Sequence, residues 1–231
     1  MKKLKKFGVA AFALFVLFGA FSVTETKAQG ILNVILKRMD DHNKSLGSLR
    51  SEVTMVKVNT QLKETDTSVG TIIYRPRPGK DALLRIDWRK PSAQSLAVVD
   101  KKYIIFKPDV PQAFVGTVDQ AKGDAKVGGA LSFMSMSKNQ LKQNYDVVYL
   151  NEGTLSNGTK TVHLQLTPKT RQSYKNAEIW VDANGMPVQS KVIEHNGDTT
   201  TVLLSKLEKN IPIAGDNFKI KLPKGLKPVK A

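Results

Sequence analysis

The side chains able to do chemistry are few and far apart. Three histidines, at 42, 163 and 195, fall on different stretches of the chain. Asp40 and Asp41 are neighbours, but adjacent residues do not share a helix face and so cannot work as an acid–base pair. No G-x-S-x-G, H-E-x-x-H, Walker A or G-x-G-x-x-G pattern occurs. The chain has no cysteine. That removes disulfide staples, thiolate metal sites, a cysteine nucleophile and lipidation at a cysteine. His42, between Asp41 and Asn43, has no partner at ligand spacing and is expected to be solvent-exposed. His163 and His195 sit in strand patterns, as core or surface residues. The expectation is a protein that is not an enzyme and uses no metal or cofactor. Its chemistry is binding.

The elements that would build a binding site are mostly strands. Residues 71–75, 82–88, 95–99 and 103–107 form a closely spaced series broken by Pro-Arg-Pro-Gly, Arg-Lys-Pro and Asp100-Lys101-Lys102. Such spacing predicts an antiparallel meander. Alternation puts Leu84, Ile86 and Trp88 on one face, with Arg85 and Asp87 on the other. Residues 103–107 are apolar on both faces, so either both sides of the sheet are covered or one side encloses something that is not protein. A strand over 51–62 precedes the meander, with a polar loop at 63–68, and 111–118 reads as one more strand. Five further strands are expected at 146–151, 159–167, 177–182, 187–196 and 199–206, and a last one at 218–222. Asn-Gly pairs at 157–158, 184–185 and 196–197 mark hairpins, because both residues tolerate positive φ.

Two stretches read as helix. In residues 29–50, Leu32, Ile35, Leu36, Met39, Leu46 and Leu49 have amphipathic helical spacing, and Gly47 is a plausible stop. Residues 126–145 read as two short helices, since Gly128-Gly129 and several serines make a poor strand. Phe133, Met134 and Met136 cluster there. Methionine suits a surface that accepts variable apolar partners, although an ordinary core-facing helix has the same pattern. The fold class expected is mainly β (α+β): one curled antiparallel sheet of about eleven strands with about three helices. So long a sheet must curl or close to hide its edges.

The N-terminus reads as an export signal. Lys2, Lys3, Lys5 and Lys6 precede an apolar run over 7–21, and Thr26-Lys27-Ala28 offers a cleavage site before Gln29. Residues 1–28 are thus expected to be removed, leaving 29–231 as one domain, the alternative being an uncleaved anchor. The formal net charge of the whole chain is +16. The signal carries five lysines and one glutamate, so the remainder stays strongly basic. Its partner should be anionic, such as a membrane surface, a lipopolysaccharide or an acidic protein face. Export makes nucleic acid the poorest fit.

The ordered set of motifs resembles the outer-membrane lipoprotein carrier (LolA) family. It comprises the helix before the first strand, Gly70–Tyr74 leading to Arg77-Pro78, Leu84 to Trp88, and the Val-Val-Asp…Tyr-Ile-Ile-Phe-Lys-Pro hairpin around Asp100. It continues with the lid-like segment 126–143, Leu164-x-Leu-Thr-Pro168 and Phe218-x-Ile-x-Leu-Pro223-x-Gly225. The resemblance implies an incomplete β-barrel of LolA/LolB type, covered by helices, around an apolar cavity. It implies a monomer in the periplasm that takes lipoprotein acyl chains from an inner-membrane lipoprotein-releasing ABC transporter. It would hand them to an outer-membrane receptor or to the membrane itself. The cavity and lid residues expected on this basis are Leu32, Ile35, Leu36, Leu84, Ile86, Trp88, Phe106, Leu131, Phe133, Met134 and Met136. Arg77 takes the place of the arginine that latches the lid, with Arg75 a close rival because the Pro-Arg-Pro repeat leaves the register ambiguous. Residues 108–126 depart from the family pattern, as does the basic run Lys219, Lys221, Lys224, Lys227 and Lys230. The alternative function is a periplasmic sensor or transport protein of the same fold that binds lipid or lipopolysaccharide.

Overall fold

The structure is a computed structural model and describes residues 23–77, 80–117, 133 and 136–230, with side chains from residue 30 onward. Helix α1 (Val23–Ser45) is followed by strands β1 (Leu49–Asn59), β2 (Glu64–Arg77), β3 (Lys80–Lys90), β4 (Gln94–Val99), β5 (Lys102–Lys107) and β6 (Gln112–Thr117). Helix α2 (Lys138–Asn144) leads into β7 (Tyr145–Thr154), β8 (Lys160–Pro168), β9 (Tyr174–Asp182), β10 (Pro187–Glu194) and β11 (Thr199–Lys209). A 3-10 turn (Gly215–Phe218) and the two-residue β12 (Val229–Lys230) complete the described elements. The strands form one sheet in the order β12-β6-β5-β4-β3-β2-β1-β11-β10-β9-β8-β7. Two meanders, β1–β6 and β7–β11, join along the antiparallel β1–β11 pair, and only β12 runs parallel to its neighbour.

Local chemistry accounts for the turns. Asp100 and Lys101 both have positive φ and connect Val99 to Lys102 as a two-residue loop. This is the geometry whose twist matches the flanking strands. At the three Asn-Gly sites only the glycine is left-handed, at φ +83, +84 and +89 for Gly158, Gly185 and Gly197. Each site is a hairpin with a three-residue loop, at the places the Asn-Gly pairs marked. The stretch read as a polar loop at 63–68 mostly belongs to β2, since Glu64–Ser68 pairs with Met55–Asn59. It is polar because Glu64–Thr67 runs past Met55, the last core residue of β1, and is exposed.

Cross-strand register separates the two faces of the sheet. One row runs Ser51–Ile72–Ile86–Leu96–Ile105–Phe114, and a second runs Met55–Val202–Ser190–Ile179–Leu164–Tyr149. These rows define the inner face. Over β1–β5, β10 and β11 it carries one apolar cluster, and over β7–β9 it carries a second with α1, α2 and Phe133. Ser190 is fully buried in the row that joins them, and Val192 packs against both. Leu83, Ile213 and Phe218 form a third cluster on the outer face.

The expected last strand over 218–222 is not formed. Residues 215–218 make the 3-10 turn, and the chain crosses the outer face. There Arg85 Nη1 donates to the carbonyls of Asn217 (3.2 Å) and Lys219 (2.9 Å). The alternating Phe-x-Ile-x-Leu pattern thus inserts Phe218 into the outer cluster. No sheet edge is open to it there, because β3 and β4, over which it passes, are already paired on both sides. The terminal strand is Val229–Lys230 instead. Of the two helices read over 126–145, α2 is the second, and most of the first lies outside the described residues.

Candidate functional site

Helix α1 presents Leu32, Ile35, Leu36 and Met39 on one stripe, all buried. Burying each such side chain is worth about 1.5–3 kcal/mol. One distant residue ties the end of the helix: the Asn210 side chain accepts from Gly47 N (2.7 Å) and donates to Ser45 O (3.3 Å). These bonds satisfy groups that a helix terminus leaves unpaired.

His42 continues the stripe, three residues past Met39, and is only 8% exposed. That corrects the expectation of a solvent-exposed histidine. Burial pushes its pKa down, the Lys209 charge adds to this, and Asp182 opposes it. Its Nε2 is buried without a hydrogen-bond partner among the described residues.

Facing α1, Phe133 is held between two tyrosines, with ring centroids 5.9 Å from Tyr145 and 6.0 Å from Tyr174, both edge-on. The two hydroxyls share a hydrogen bond at 2.8 Å. Burial, reinforced by that bond, pushes the Tyr174 pKa well above its ordinary value. Leu141 of α2 closes the same cluster. A polar seam fixes this cover to α1. Asn43 Nδ2 donates to Met136 O (2.8 Å), Lys138 N to Asp40 Oδ1 (3.4 Å), and Lys142 Nζ to Asn33 Oδ1 (3.0 Å). A hydrogen bond from Lys44 holds the Asp40 carboxyl below the usual range. Ser137 caps α2 in a reciprocal capping box with Gln140.

The expected cavity residues fall into three groups. Leu32, Ile35, Leu36 and Phe133 share the helix-covered cluster, with Met136 half-buried beside it. Leu84, Ile86 and Trp88 lie on the same inner face, in the other cluster. Phe106 does not join them. It pairs with Ser95, which pairs with Asp87, and that row is on the outer face. Four apolar or aromatic residues in a row, Tyr103 to Phe106, made both faces of β5 look equal, and only the register decided between them. Leu131 and Met134 lie outside the described residues.

Neither arginine meets the described part of the cover. Arg77 donates from Nε to Asp81 O (2.7 Å) and pairs with Asp100 Oδ1 (2.6 Å), tying the β2–β3 hairpin to the β4–β5 turn. Arg75 donates to Ile213 O (3.0 Å) and lies 5.3 Å over the Phe218 ring. Its guanidinium holds the C-terminal segment against the outer face.

His163 Nε2 lies 3.2 Å from Glu178 Oε2 and its ring stacks on Trp180. His195 Nε2 is 3.1 Å from Gln172 O. Among the described residues no group of three or more His, Asp or Glu could hold a metal ion, and no helix is long and apolar enough to cross a membrane. The tyrosine clamp on Phe133 and the Asn210 cap were missed from sequence, since each is made by residues distant in the chain.

Known proteins resemble this chain at two levels. An outer-membrane lipoprotein carrier protein of Cupriavidus taiwanensis is 29% identical over 184 residues, covering 77% of this chain and 79% of its own. One from Pseudomonas fluorescens is 24% identical over 190 residues, covering 82% and 84%. Among solved structures, an uncharacterized conserved protein of Thermus thermophilus superposes with a TM-score of 0.55 at 14% identity, covering 87% of this chain and 99% of that one. MucB superposes at 0.53 and 17% identity, where this chain covers 63% of the other. These two likenesses carry the fold alone. The family model described as outer membrane lipoprotein carrier protein LolA matches residues 48–221, from β1 through the residues just after the 3-10 turn, and the chain therefore belongs to the LolA family.

Proposed function

We propose that this chain is exported with removal of residues 1–28 and carries lipoproteins between membranes as a periplasmic monomer. Their acyl chains would lie on the inner apolar face. The observation that carries this reading is the contrast between the face and its cover. Leu164, Leu166 and Ile179 make a continuous apolar floor, while three hydrogen bonds join the cover to α1. Such bonds contribute about 0.5–1.5 kcal/mol each. An acyl chain gains about 0.8 kcal/mol per buried methylene, so about ten methylenes outweigh the seam. Loading and release then need no covalent step within the carrier. An inner-membrane ABC transporter would supply the cargo, and an outer-membrane receptor or the membrane would accept it.

Native mass spectrometry of protein purified from the envelope without detergent tests this. The expected species is a one-to-one complex with an acylated lipoprotein. The chain has no cysteine, so Asn33→Cys with Lys142→Cys can be joined cleanly by a short bis-maleimide across the seam. The tethered protein should fail to load. Phospholipid as the sole adduct, or equal loading of the tethered protein, would overturn the proposal.

A further inference from the structure

The C-terminal segment is anchored at two points on the outer face. At one end Phe218 is buried under Arg75, and Arg85 holds the carbonyls on either side of it. At the other end Val229 and Lys230 pair with Phe114 and Val115. Between the anchors the segment spans β4–β6 and leaves a groove of about 940 Å³, a size typical of small-molecule sites. Its floor is apolar: Ala97, Val99, Ile104 and Val115 from the sheet, Phe218 and Ile220 from the segment. The sheet residues are on the face opposite Ile86 and Ile105, as the register shows.

The rim is predominantly basic. Lys102, Lys219 and Lys230 line it with Asp100. Asp100 is paired with Arg77 and Lys219 with Asp216. Lys102 and Lys230 have no ion pair among the described residues. Lys102 lies beside Thr117, and Lys230 beside Val115 from the other side of β6, so the two residues share one face, two strand spacings (about 10 Å) apart across β6 and two residues apart along it. An apolar trough flanked by two lysines suits one kind of occupant. The chain of that occupant displaces water from the floor, and its head accepts hydrogen bonds from the lysines.

We propose that this outer-face groove binds an anionic amphiphile with a single alkyl chain and a phosphate or carboxylate head. The site is separate from the inner face and does not depend on the carrier reading. The test uses dodecyl phosphate below its micellar concentration, with dodecyl maltoside and inorganic phosphate as comparisons, read by backbone amide shifts and calorimetry. Saturable one-to-one binding is expected, with shifts at Val99, Ile104 and Val115. Lys102→Glu with Lys230→Glu should weaken it about tenfold, as the loss of two charge contacts. Ile104→Trp, which fills the trough, should weaken it as well. The lysine variant changes only exposed side chains and keeps the test decisive if Ile104→Trp does not fold. The proposal is overturned if dodecyl phosphate does not bind, or if maltoside or inorganic phosphate binds equally well. Shifts confined to the inner-face rows, or affinity indifferent to the lysine reversal, would also overturn it.

Discussion

Gly185 and the Arg38 carbonyl touch: a Cβ at Gly185 would collide with the backbone of α1 at Arg38 and Met39. The contact is reinforced by Arg38 Nη1 donating to Ala183 O at 3.0 Å. A single glycine therefore serves both the β9–β10 turn and the seating of α1. Gly158 has the same backbone conformation in the β7–β8 turn but open space around it. Placing a Cβ in the left-handed region costs roughly 1–2 kcal/mol, so Gly158→Ala should lose about that much. Gly185→Ala must also displace the helix and should lose about 2–4 kcal/mol. Urea denaturation of the two variants measures the difference. Equal losses would mean that α1 does not rest on this turn.

His42 makes stability depend on pH. Its folded pKa lies below the ordinary 6.5, chiefly through burial. Above that value the ring is neutral in both states. As pH falls below it, the unfolded chain takes up the proton first, so stability declines until the folded pKa is passed. Unfolding free energy measured at pH 7.5 and 5.5 should therefore drop toward acid. In His42→Gln the His42 share of that slope should vanish. An unchanged slope would show that the histidine titrates normally.

Asn210 should be worth more than its backbone shape. Its φ is +57, which Asn210→Gly relieves, yet glycine cannot cap α1. The two lost hydrogen bonds predict a loss of about 1–2 kcal/mol. Amide exchange in the last turn of α1 should quicken in the same variant, while exchange in β11 should not.

The C-terminal segment should loosen when its arginine anchors are cut. Arg75→Ala removes the bond to Ile213 and the stacking on Phe218, and Arg85→Ala removes two bonds to the backbone. Limited trypsin digestion should then cut sooner after Lys219, Lys221 and Lys224 than in the parent protein. Resistance equal to the parent would mean that burial of Phe218 holds the segment alone.

The aromatic clamp separates packing from polarity. Phe133→Ala should cost about 3–5 kcal/mol, as for other buried rings. Tyr145→Phe removes only the shared hydroxyl bond and should cost about 1 kcal/mol. Chemical denaturation gives both values, and equal losses would place the stability in the hydrogen bond.

Much of the architecture was legible in the chain. Period-two alternation placed Leu84, Ile86 and Trp88 on one face of β3, and the Asp100 turn and the Asn-Gly pairs marked hairpins at the right places. The stripe Leu32, Ile35, Leu36, Met39 fixed the buried side of α1. These succeed because strand pleat, helix pitch and turn conformation are set by neighbours in sequence. What alternation cannot tell is which face is covered, or by what. Phe106 and Ile105 are adjacent and similar, and only the ladder through Ser95 and Leu96 sent them to opposite sides. His42 looked solvated until the end of α1 came to rest by Asp182 and Lys209. Phe218 looked like a strand residue until Arg75 and Arg85 held its segment across the outer face. Each of these outcomes depends on groups many residues apart meeting in space. The sequence by itself determined the elements and their amphipathic sides, and only the tertiary structure decided which of those sides became core, seam or groove.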